Sequence, residues 1–383
     1  MIHEAGGLPP EPGAVPGPDW KENLAAACRG VGLSATYQPI VDTARGTVVG
    51  YEALARFPGF AEKNPEVWFA AARTHGLAAE LEAVALRVAL AARPDLPANC
   101  FLTLNVSPEL LLTEEIREIW RGQGNLGGLV VELTEQTPID SYLELEPDLN
   151  QLRAAGALIA VDDAGAGYAG LRHLLALRPS LIKIDRELVQ DLDRDEAKRA
   201  LISMLGTFAS RVDAWILAEG VERVEELDAL VALGVPLVQG YCLARPGPAW
   251  VQMDLDVAHR LASKPPVTHR SIIRDIAEPA TTAASTVGAS AAFNDDPGLQ
   301  SVVLMGDHLR PVAVLDPAAA AMGMVSPGMR VNLDTPIGEA LARCMTRAQA
   351  SRFDPLLVTD NAGRFAGVAR MERMITALAA ADS

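Results

Sequence analysis

Short apolar runs alternate with longer segments of helical periodicity between about residues 20 and 260. Residues 101–104 and 158–161 are examples of the short runs, and residues 65–91 and 197–211 are examples of the helical segments. This alternation is typical of βα units. The pattern therefore predicts a parallel sheet with helices packed against it.

Polar side chains end seven successive apolar runs of this region. They are Glu52, Asn105, Glu132, the pair Asp162 and Asp163, Lys183, Glu219 and Gln239. Parallel strands that are buried on both faces are normally apolar throughout. In a closed barrel the carboxyl ends of the strands meet on one rim, where such folds carry their active sites. Ordinary strand ends explain one or two of these residues, but seven favour a common site.

Composition changes at both ends of the chain. Residues 1–19 are rich in Gly and Pro, which is typical of a flexible leader. Residues 263–266 read as a linker, and beyond it residues 301–315 and 355–369 each predict a strand, a tight turn and a strand, followed by a helical stretch. This is a weak repeat of about 54 residues. We therefore divide the chain into a leader (1–19), a barrel (20–262) and a linker with a two-unit module (263–383).

The charge balance limits the classes of partner. The chain has 33 Lys and Arg against 49 Asp and Glu, a net charge of −16. Such a chain has no general field that attracts a nucleic-acid polymer or an anionic bilayer. A small phosphorylated ligand remains compatible if bound cations supply positive charge.

Localisation signals and cysteine pairs are not evident in the sequence. The cysteines form no CxxC pair, no apolar run reaches roughly 18 residues, and no secretory signal precedes the barrel. We expect a cytoplasmic protein without a membrane span.

The predicted rim has the chemistry of a divalent-cation site. Its carboxylate and amide oxygens suit Mg²⁺, Mn²⁺ or Ca²⁺ better than Zn²⁺. Several carboxylates in one mouth repel each other unless cations lie between them. Asp162 and Asp163 could serve two ions only if the chain leaves its strand there, which Gly165 and Gly167 make feasible. Two ions about 4 Å apart are the usual device for phosphodiester hydrolysis.

The remaining rim residues suggest roles around a reacting water. Lys183 and Asp185 are two positions apart, so we expect them on one strand face. Lys183 could orient the water or neutralise developing charge on the phosphorus. Glu219 could bind a cation through water or act as a base, and Gln239 could contact a base edge or a metal-bound water.

A dinucleotide fingerprint offers an alternative. Residues 165–170 are a literal GxGxxG, and Asp185 follows about 20 positions after the first glycine. This favours an NAD-binding oxidoreductase. Asp162 and Asp163 argue against it, because a pyrophosphate there would meet two carboxylates.

Eight motifs resemble those of the EAL-domain phosphodiesterases, in the same order. They are residues 37–42, 52–56, 105–107, 132–135, 162–168, 183–185, 219–222 and 239–241. The resemblance implies a modified (β/α)8 TIM-like barrel that hydrolyses cyclic di-GMP to linear pGpG with two Mg²⁺ or Mn²⁺ ions per active site. It also implies a homodimer. We expect Ca²⁺ to inhibit, because its larger and looser coordination positions water poorly.

The resemblance also assigns roles to individual residues. The metal ligands it implies are Glu52, Asn105, Glu132, Asp162, Asp163 and Glu219, with Lys183, Glu219 and Glu52 in catalysis. The substrate contacts it implies are Gln38, Leu54, Arg56 and Gln239, and Glu135 steadies the loop after the Asp pair. Ala164 stands in that loop where the family usually has Phe, and Ala166 follows it. A catalytically weak receptor for cyclic di-GMP is therefore an alternative to the hydrolase.

The C-terminal repeat resembles a tandem pair of CBS-like modules. Many such modules that hold an adenine nucleotide have a hydroxyl residue and an Asp after the second strand. In this chain Arg370 and Arg373 stand in that region. An adenine-nucleotide site and a dimerising module without ligand are both compatible with the sequence.

Overall fold

A computed structural model gives the fold of most of the chain. It describes residues 19–134, 142–162, 174–212, 214–263, 271–306, 309–345, 347, 351–361 and 363–381. Within this part, eight strands form a closed barrel in sequence order. They are β1 (Ser34–Asp42), β2 (Thr47–Arg56), β3 (Phe101–Val106), β4 (Leu129–Leu133), β5 (Leu158–Val161), β6 (Leu181–Ile184), β7 (Trp215–Ala218) and β8 (Leu237–Val238). The TIM-like barrel expected from the sequence is confirmed.

The first strand departs from the expected all-parallel sheet. β1 runs antiparallel to both β2 and β8, whereas β2 to β8 are parallel. The cause is the short connection from Asp42 to Thr47, because parallel neighbours need a crossover of about a dozen residues. Asp42 Oδ1 accepts hydrogen bonds from the backbone of Ala44 (2.8 Å) and Arg45 (3.1 Å), which tightens this hairpin.

Helices surround the barrel between its strands. They are α1 (Trp20–Ala27), α2 (Pro65–Thr74), α3 (Ala78–Leu90), α4 (Glu114–Gln123), α5 (Tyr142–Ala154), α6 (Arg186–Val189), α7 (Glu196–Val212), α8 (Val224–Ala232) and α9 (Leu255–Ser263). The predicted helical segment 65–91 is thus two helices. Gly76 interrupts it with φ of 68°, a left-handed conformation that glycine adopts without strain.

A layer of apolar side chains fills the lower half of the barrel. It includes Ile40, Phe101, Val130, Leu181 and Leu237, all buried. The aromatic ring of Phe101 covers Gly50 on the neighbouring strand so closely that an added Cβ would lie 2.5 Å from it. The absence of a side chain at position 50 therefore makes room for this ring, and the layer seals the barrel below its rim.

Two units of the same topology follow the barrel. The first has β9 (Thr282–Ala283), α11 (Thr286–Asp295), β10 (Val302–Met305), β11 (Pro311–Leu315) and α12 (Pro317–Met322). The second has β12 (Arg330–Asn332), α13 (Ile337–Met345), β13 (Leu356–Thr359), β14 (Phe365–Ala369) and α14 (Met371–Ala381). The four strands predicted from the repeat are confirmed. The short β9 and β12 were not predicted, because two or three residues are too few to show a pattern.

The second unit lies against the barrel at the amino ends of the parallel strands. Asp334 pairs with Arg45 of the barrel hairpin, and Arg364 donates to Asn99 Oδ1 at 2.7 Å. A short helix that precedes the first unit, α10 (Ile273–Ile276), packs into the core of the second. The second unit therefore contacts the face of the barrel that lies opposite the rim.

No helix in the described ranges combines the length and the apolar character that a bilayer span requires.

Candidate active site

A buried lysine surrounded by four carboxylates lies at the carboxyl ends of the parallel strands. Lys183 is 1% exposed, and its Nζ lies 2.7 Å from Glu219 Oε1 and 3.5 Å from both Glu52 Oε1 and Asp162 Oδ1. It also donates a hydrogen bond to Glu132, which is completely buried. These residues come from β2, β4, β6 and the ends of β5 and β7. The structure therefore brings together groups that are up to 167 positions apart in the sequence.

Amide side chains join this cluster to β1 and β3. Asn105 Nδ2 donates to Glu52 Oε1 at 2.9 Å. Gln239 Nε2 donates to Glu52 Oε2 at 2.6 Å and to Gln38 Oε1 at 3.0 Å. Gln38 in turn donates to the backbone carbonyl of Ala244 at 3.0 Å. Both oxygens of Glu52 are thereby held in fixed directions.

The charges of the cluster do not balance. Four carboxylates and one ammonium leave a net charge of −3 when all are ionised. Burial raises the pKa of Glu132 well above its usual range, despite the opposing effect of Lys183. Loss of hydration likewise raises the pKa of Glu219 to about 8. Burial would lower the pKa of Lys183, but the four carboxylates outweigh it and raise that pKa well above the usual value. The protein alone thus lacks positive charge here.

The same residues fit divalent cations. Glu132 Oε2 and Gln239 Oε1 are buried oxygens without a hydrogen-bond partner. Buried acceptors without donors are costly; a cation would satisfy Glu132 Oε2, and a water bound to that cation would satisfy Gln239 Oε1. Every side chain of the cluster other than Lys183 offers an oxygen atom that can bind a metal ion. Oxygen ligands of this kind suit Mg²⁺ or Mn²⁺. Glu52, Asn105, Glu132, Asp162 and Glu219 are the described residues that would hold such ions.

Two predicted substrate contacts continue from Glu52 along β2. Leu54 and Arg56 follow at intervals of two, so they share its strand face and lie progressively farther toward the barrel mouth. Glu52 is buried, whereas both of these residues are partly exposed. The apolar pattern suggested that Glu52 ends its strand. The structure shows that β2 continues beyond it, because pairing with β1 extends to Arg56.

The remaining sequence-based assignments have different outcomes. Asp163, Glu135, Ala164 and Ala166 lie outside the described residues. The expectation that Asp185 shares the strand face of Lys183 is wrong. β6 ends at Ile184, and Asp185 instead caps α6 by accepting a hydrogen bond from the backbone of Glu187.

Sequence reasoning missed one buried acid close to the site. Glu82 of α3 accepts hydrogen bonds from the backbone N (2.9 Å) and the hydroxyl (2.7 Å) of Ser107, two residues after Asn105. Burial raises the pKa of Glu82 to about 7. The available signal was an acidic residue one turn before Leu86, within the buried stripe of an amphipathic helix.

Comparison with known families and structures identifies the barrel. The family model described as "EAL domain" matches residues 21–246, more than half of the chain. The chain belongs to the EAL-domain family. The matched segment includes every described member of the carboxylate cluster.

Relatives and solved structures agree with this assignment. Cyclic di-GMP phosphodiesterase RocR of Pseudomonas aeruginosa is 32% identical over 234 residues, covering 56% of this chain and 58% of RocR. Cyclic di-GMP phosphodiesterase PdeL of Escherichia coli is 30% identical over 222 residues, covering 55% of this chain and 61% of PdeL. The manganese/cy-diGMP complex of Klebsiella pneumoniae BlrP1 has a TM-score of 0.52 and 29% identity, and the match covers 57% of each chain.

The matches with RocR and PdeL span less than two thirds of the length of those relatives. The C-terminal units lie beyond the segment that the family model covers. The NAD-binding alternative loses its structural basis, because its fingerprint belongs to an open doubly wound sheet and this sheet is a closed barrel.

Proposed function

We propose that the protein is a metal-dependent phosphodiesterase that hydrolyses cyclic di-GMP to linear pGpG. The observation that carries the proposal is the cluster of four carboxylates around Lys183, with buried oxygens that have no donor. Relatives named as cyclic di-GMP phosphodiesterases support the substrate. Water would attack one phosphorus, the P–O3′ bond would break, and the product would carry a new 5′-phosphate.

The residues of the cluster divide into binding and orienting groups. Two Mg²⁺ or Mn²⁺ ions, when bound, would supply electrostatic stabilisation of the attacking and leaving oxygens. Glu52, Asn105, Glu132 and Asp162 would hold one ion, and Asp162, Asp163 and Glu219 would surround the other. Gln239 fixes the orientation of Glu52. Lys183 would donate to the attacking water and stabilise negative charge that develops on the phosphoryl oxygens.

The proposed substrate contacts are side chains that extend outward from the carboxylate cluster. Gln38 lies buried beside Gln239, and Leu54 and Arg56 lie farther out on β2. Arg56 would pair with a phosphate or a base edge of the cyclic dinucleotide, and Leu54 would pack on a base. Glu135 would steady the loop that begins after Asp162.

Product analysis tests this proposal directly. Purified chain is incubated with cyclic di-GMP and Mn²⁺, and the products are separated by chromatography. Linear pGpG should form with wild type and should disappear with Glu52→Gln, while Glu114→Gln on the exposed face of α4 serves as a matched control. Tight binding of cyclic di-GMP without any product would instead favour the receptor.

Metal specificity gives a second test. Ca²⁺ prefers longer bonds and more ligands than Mg²⁺, so Ca²⁺ should occupy the cluster and inhibit turnover. Equal rates in Ca²⁺ and Mg²⁺ would contradict the two-ion assignment.

For the C-terminal units we propose a CBS-like regulatory module that begins at about residue 263 and supports a homodimer. Two copies of one β-α-β-β-α topology support this assignment. Arg370 and Arg373 both pair with Glu278, so an adenine nucleotide at that position would have to displace an ion pair. Sedimentation of the full chain with and without AMP would test both the dimer and the nucleotide.

A further inference from the structure

A cleft separates the floor of the barrel from the second C-terminal unit. Its barrel side is apolar and includes Phe101, Leu181 and Trp215. Its other side is polar and includes Arg330, Asn332 and Asn361. A pocket with one apolar wall and a few convergent polar groups is the usual form of a small-molecule site.

One arginine of the polar wall has no acidic partner among the described residues. Arg330, which begins β12, is exposed and lines the cleft, and its guanidinium forms no ion pair with a carboxylate in the described part of the chain. The acid that also lines the cleft, Asp360, is already engaged, since Arg364 donates to it from its backbone N (2.9 Å) and its Nε (2.8 Å).

A second arginine lies behind this wall. Arg310 precedes β11 of the first unit, and its Nε and Nη2 are buried without a hydrogen-bond partner. These two nitrogens form the edge of a guanidinium that binds carboxylate or phosphate in a bidentate manner. Burial lowers the pKa of Arg310 to about 10; the nearby positive charge of Arg330 adds to this effect, and the carboxylate of Asp360 opposes it.

Gly363 connects Arg310 to the cleft. It lines the cleft, and an added Cβ at this residue would lie 3.3 Å from Arg310 Nη2. Its φ of 75° also favours glycine. The guanidinium therefore lies directly behind the lining of the cleft, where its charge adds to that of Arg330.

We propose that this cleft is a binding site for a phosphate group, with Arg330 as the direct contact and Arg310 as the supporting charge. The cleft has a volume of about 80 Å³. That is several times the roughly 10–15 Å³ that one water needs, but well below the roughly 300 Å³ of pockets that enclose whole organic ligands. The site therefore takes inorganic phosphate, or the phosphate of a nucleotide whose remaining atoms lie in solvent.

The position of the cleft predicts a stabilising effect of the ligand. A phosphate held there contacts the second unit and lies against the barrel floor, so it should strengthen the docking of these two parts. Binding to the folded state alone raises apparent stability in proportion to the logarithm of the ligand concentration. Phosphate should therefore raise the melting temperature of the full chain.

Calorimetric titration with inorganic phosphate tests the proposal on the full chain. EDTA is included so that the carboxylate cluster, without cations, does not bind phosphate itself. Wild type should bind phosphate, Arg330→Gln should bind at least tenfold more weakly, and Arg310→Gln should also weaken binding. Arg121→Gln on the exposed face of α4 removes the same charge elsewhere and should change the affinity by less than twofold.

Two additional experiments identify the source of the phosphate and control for misfolding. A parallel titration with AMP shows whether a nucleotide binds better than the free ion, and added phosphate should then compete with it. Arg330→Lys keeps the charge and should give intermediate affinity even if Arg330→Gln proves misfolded by circular dichroism. Failure of wild type to bind phosphate or AMP at millimolar concentration, or equal affinity in wild type and Arg330→Gln, would overturn the proposal. Either result would leave hydrolysis of cyclic di-GMP, measured separately, unaffected.

Discussion

Gln239 donates a hydrogen bond to Glu52 at 2.6 Å and thereby joins the last strand of the barrel to the second. These strands flank β1, which is antiparallel to the other strands of the barrel. Gln38 of β1 accepts a second hydrogen bond from the same amide of Gln239. The antiparallel strand is thus tied to the site through one side chain. Gln239 orients a carboxylate that we assign to cation binding.

Gln239→Ala should weaken metal binding without removing a ligand. Glu52 would lose the donor that fixes its direction, and losses of this kind usually reduce metal affinity or activity by about 10–100-fold. The measurement is Mn²⁺ affinity by calorimetry, with Gln252→Ala on the exposed surface as the control. Unchanged Mn²⁺ affinity in Gln239→Ala would show that Glu52 needs no support.

Lys183→Met should lower the turnover rate and increase the stabilisation of the fold by bound Mn²⁺. Without the ammonium, turnover should fall by about 10²-fold or more. The remaining carboxylates would lose their internal cation, a change that typically costs about 3–5 kcal/mol in the free energy of unfolding. Urea unfolding with EDTA and with Mn²⁺ should show that the ion stabilises this variant more than it stabilises wild type.

Lys63→Met is the matched control for that experiment, because Lys63 is exposed on the loop before α2. A stabilisation by Mn²⁺ that is the same in Lys183→Met and in wild type would indicate that the lysine and the ions do not share the cluster.

Two glycine substitutions should change stability in opposite directions. Gly50→Ala places a Cβ 2.5 Å from the ring of Phe101, and such overpacking typically costs about 1–3 kcal/mol. Gly206→Ala lies within α7 with no atom within 4 Å of the added Cβ, so it should raise the free energy of unfolding by about 0.5–1 kcal/mol. Urea denaturation compares both with wild type, and a neutral Gly50→Ala would refute the close packing of the barrel interior.

Glu82 should make stability depend on pH. Its pKa is about 7 in the fold against an ordinary value of 4.5, so the folded state favours the protonated form. This stabilisation is complete below pH 4.5 and is lost as the pH rises through 7, with a loss of up to about 3 kcal/mol. Unfolding experiments at pH 5 and pH 8 should show a smaller pH difference in Glu82→Gln than in wild type. An equal difference would exclude Glu82 as the cause.

The sequence predicted the barrel and most of the cluster because both depend on local patterns. Apolar runs that end in Glu132, Lys183 or Gln239 indicate strands and rim residues without knowledge of contacts. Asp185 was misplaced because the strand ends one residue earlier, and capping chemistry rather than strand periodicity decides its direction. The reversal of β1 depends on a tight hairpin, and an alternation of strands and helices carries no information about strand direction.

The contacts between distant parts of the chain were beyond sequence reasoning. Arg310 and Gly363 lie in two different units, and only the folded chain shows that they are adjacent. The buried role of Glu82 likewise depends on Ser107, which belongs to another element. Patterns within one segment report which face is buried, but not which residue lies against it.

The most direct test of metal-dependent hydrolysis is the rate of linear pGpG formation as a function of Mn²⁺ concentration. We predict no product in EDTA, a saturable rise in rate with Mn²⁺, and a large loss of that response in Glu52→Gln. Binding of cyclic di-GMP by wild type without linear product at any Mn²⁺ concentration would show that the protein is not a phosphodiesterase.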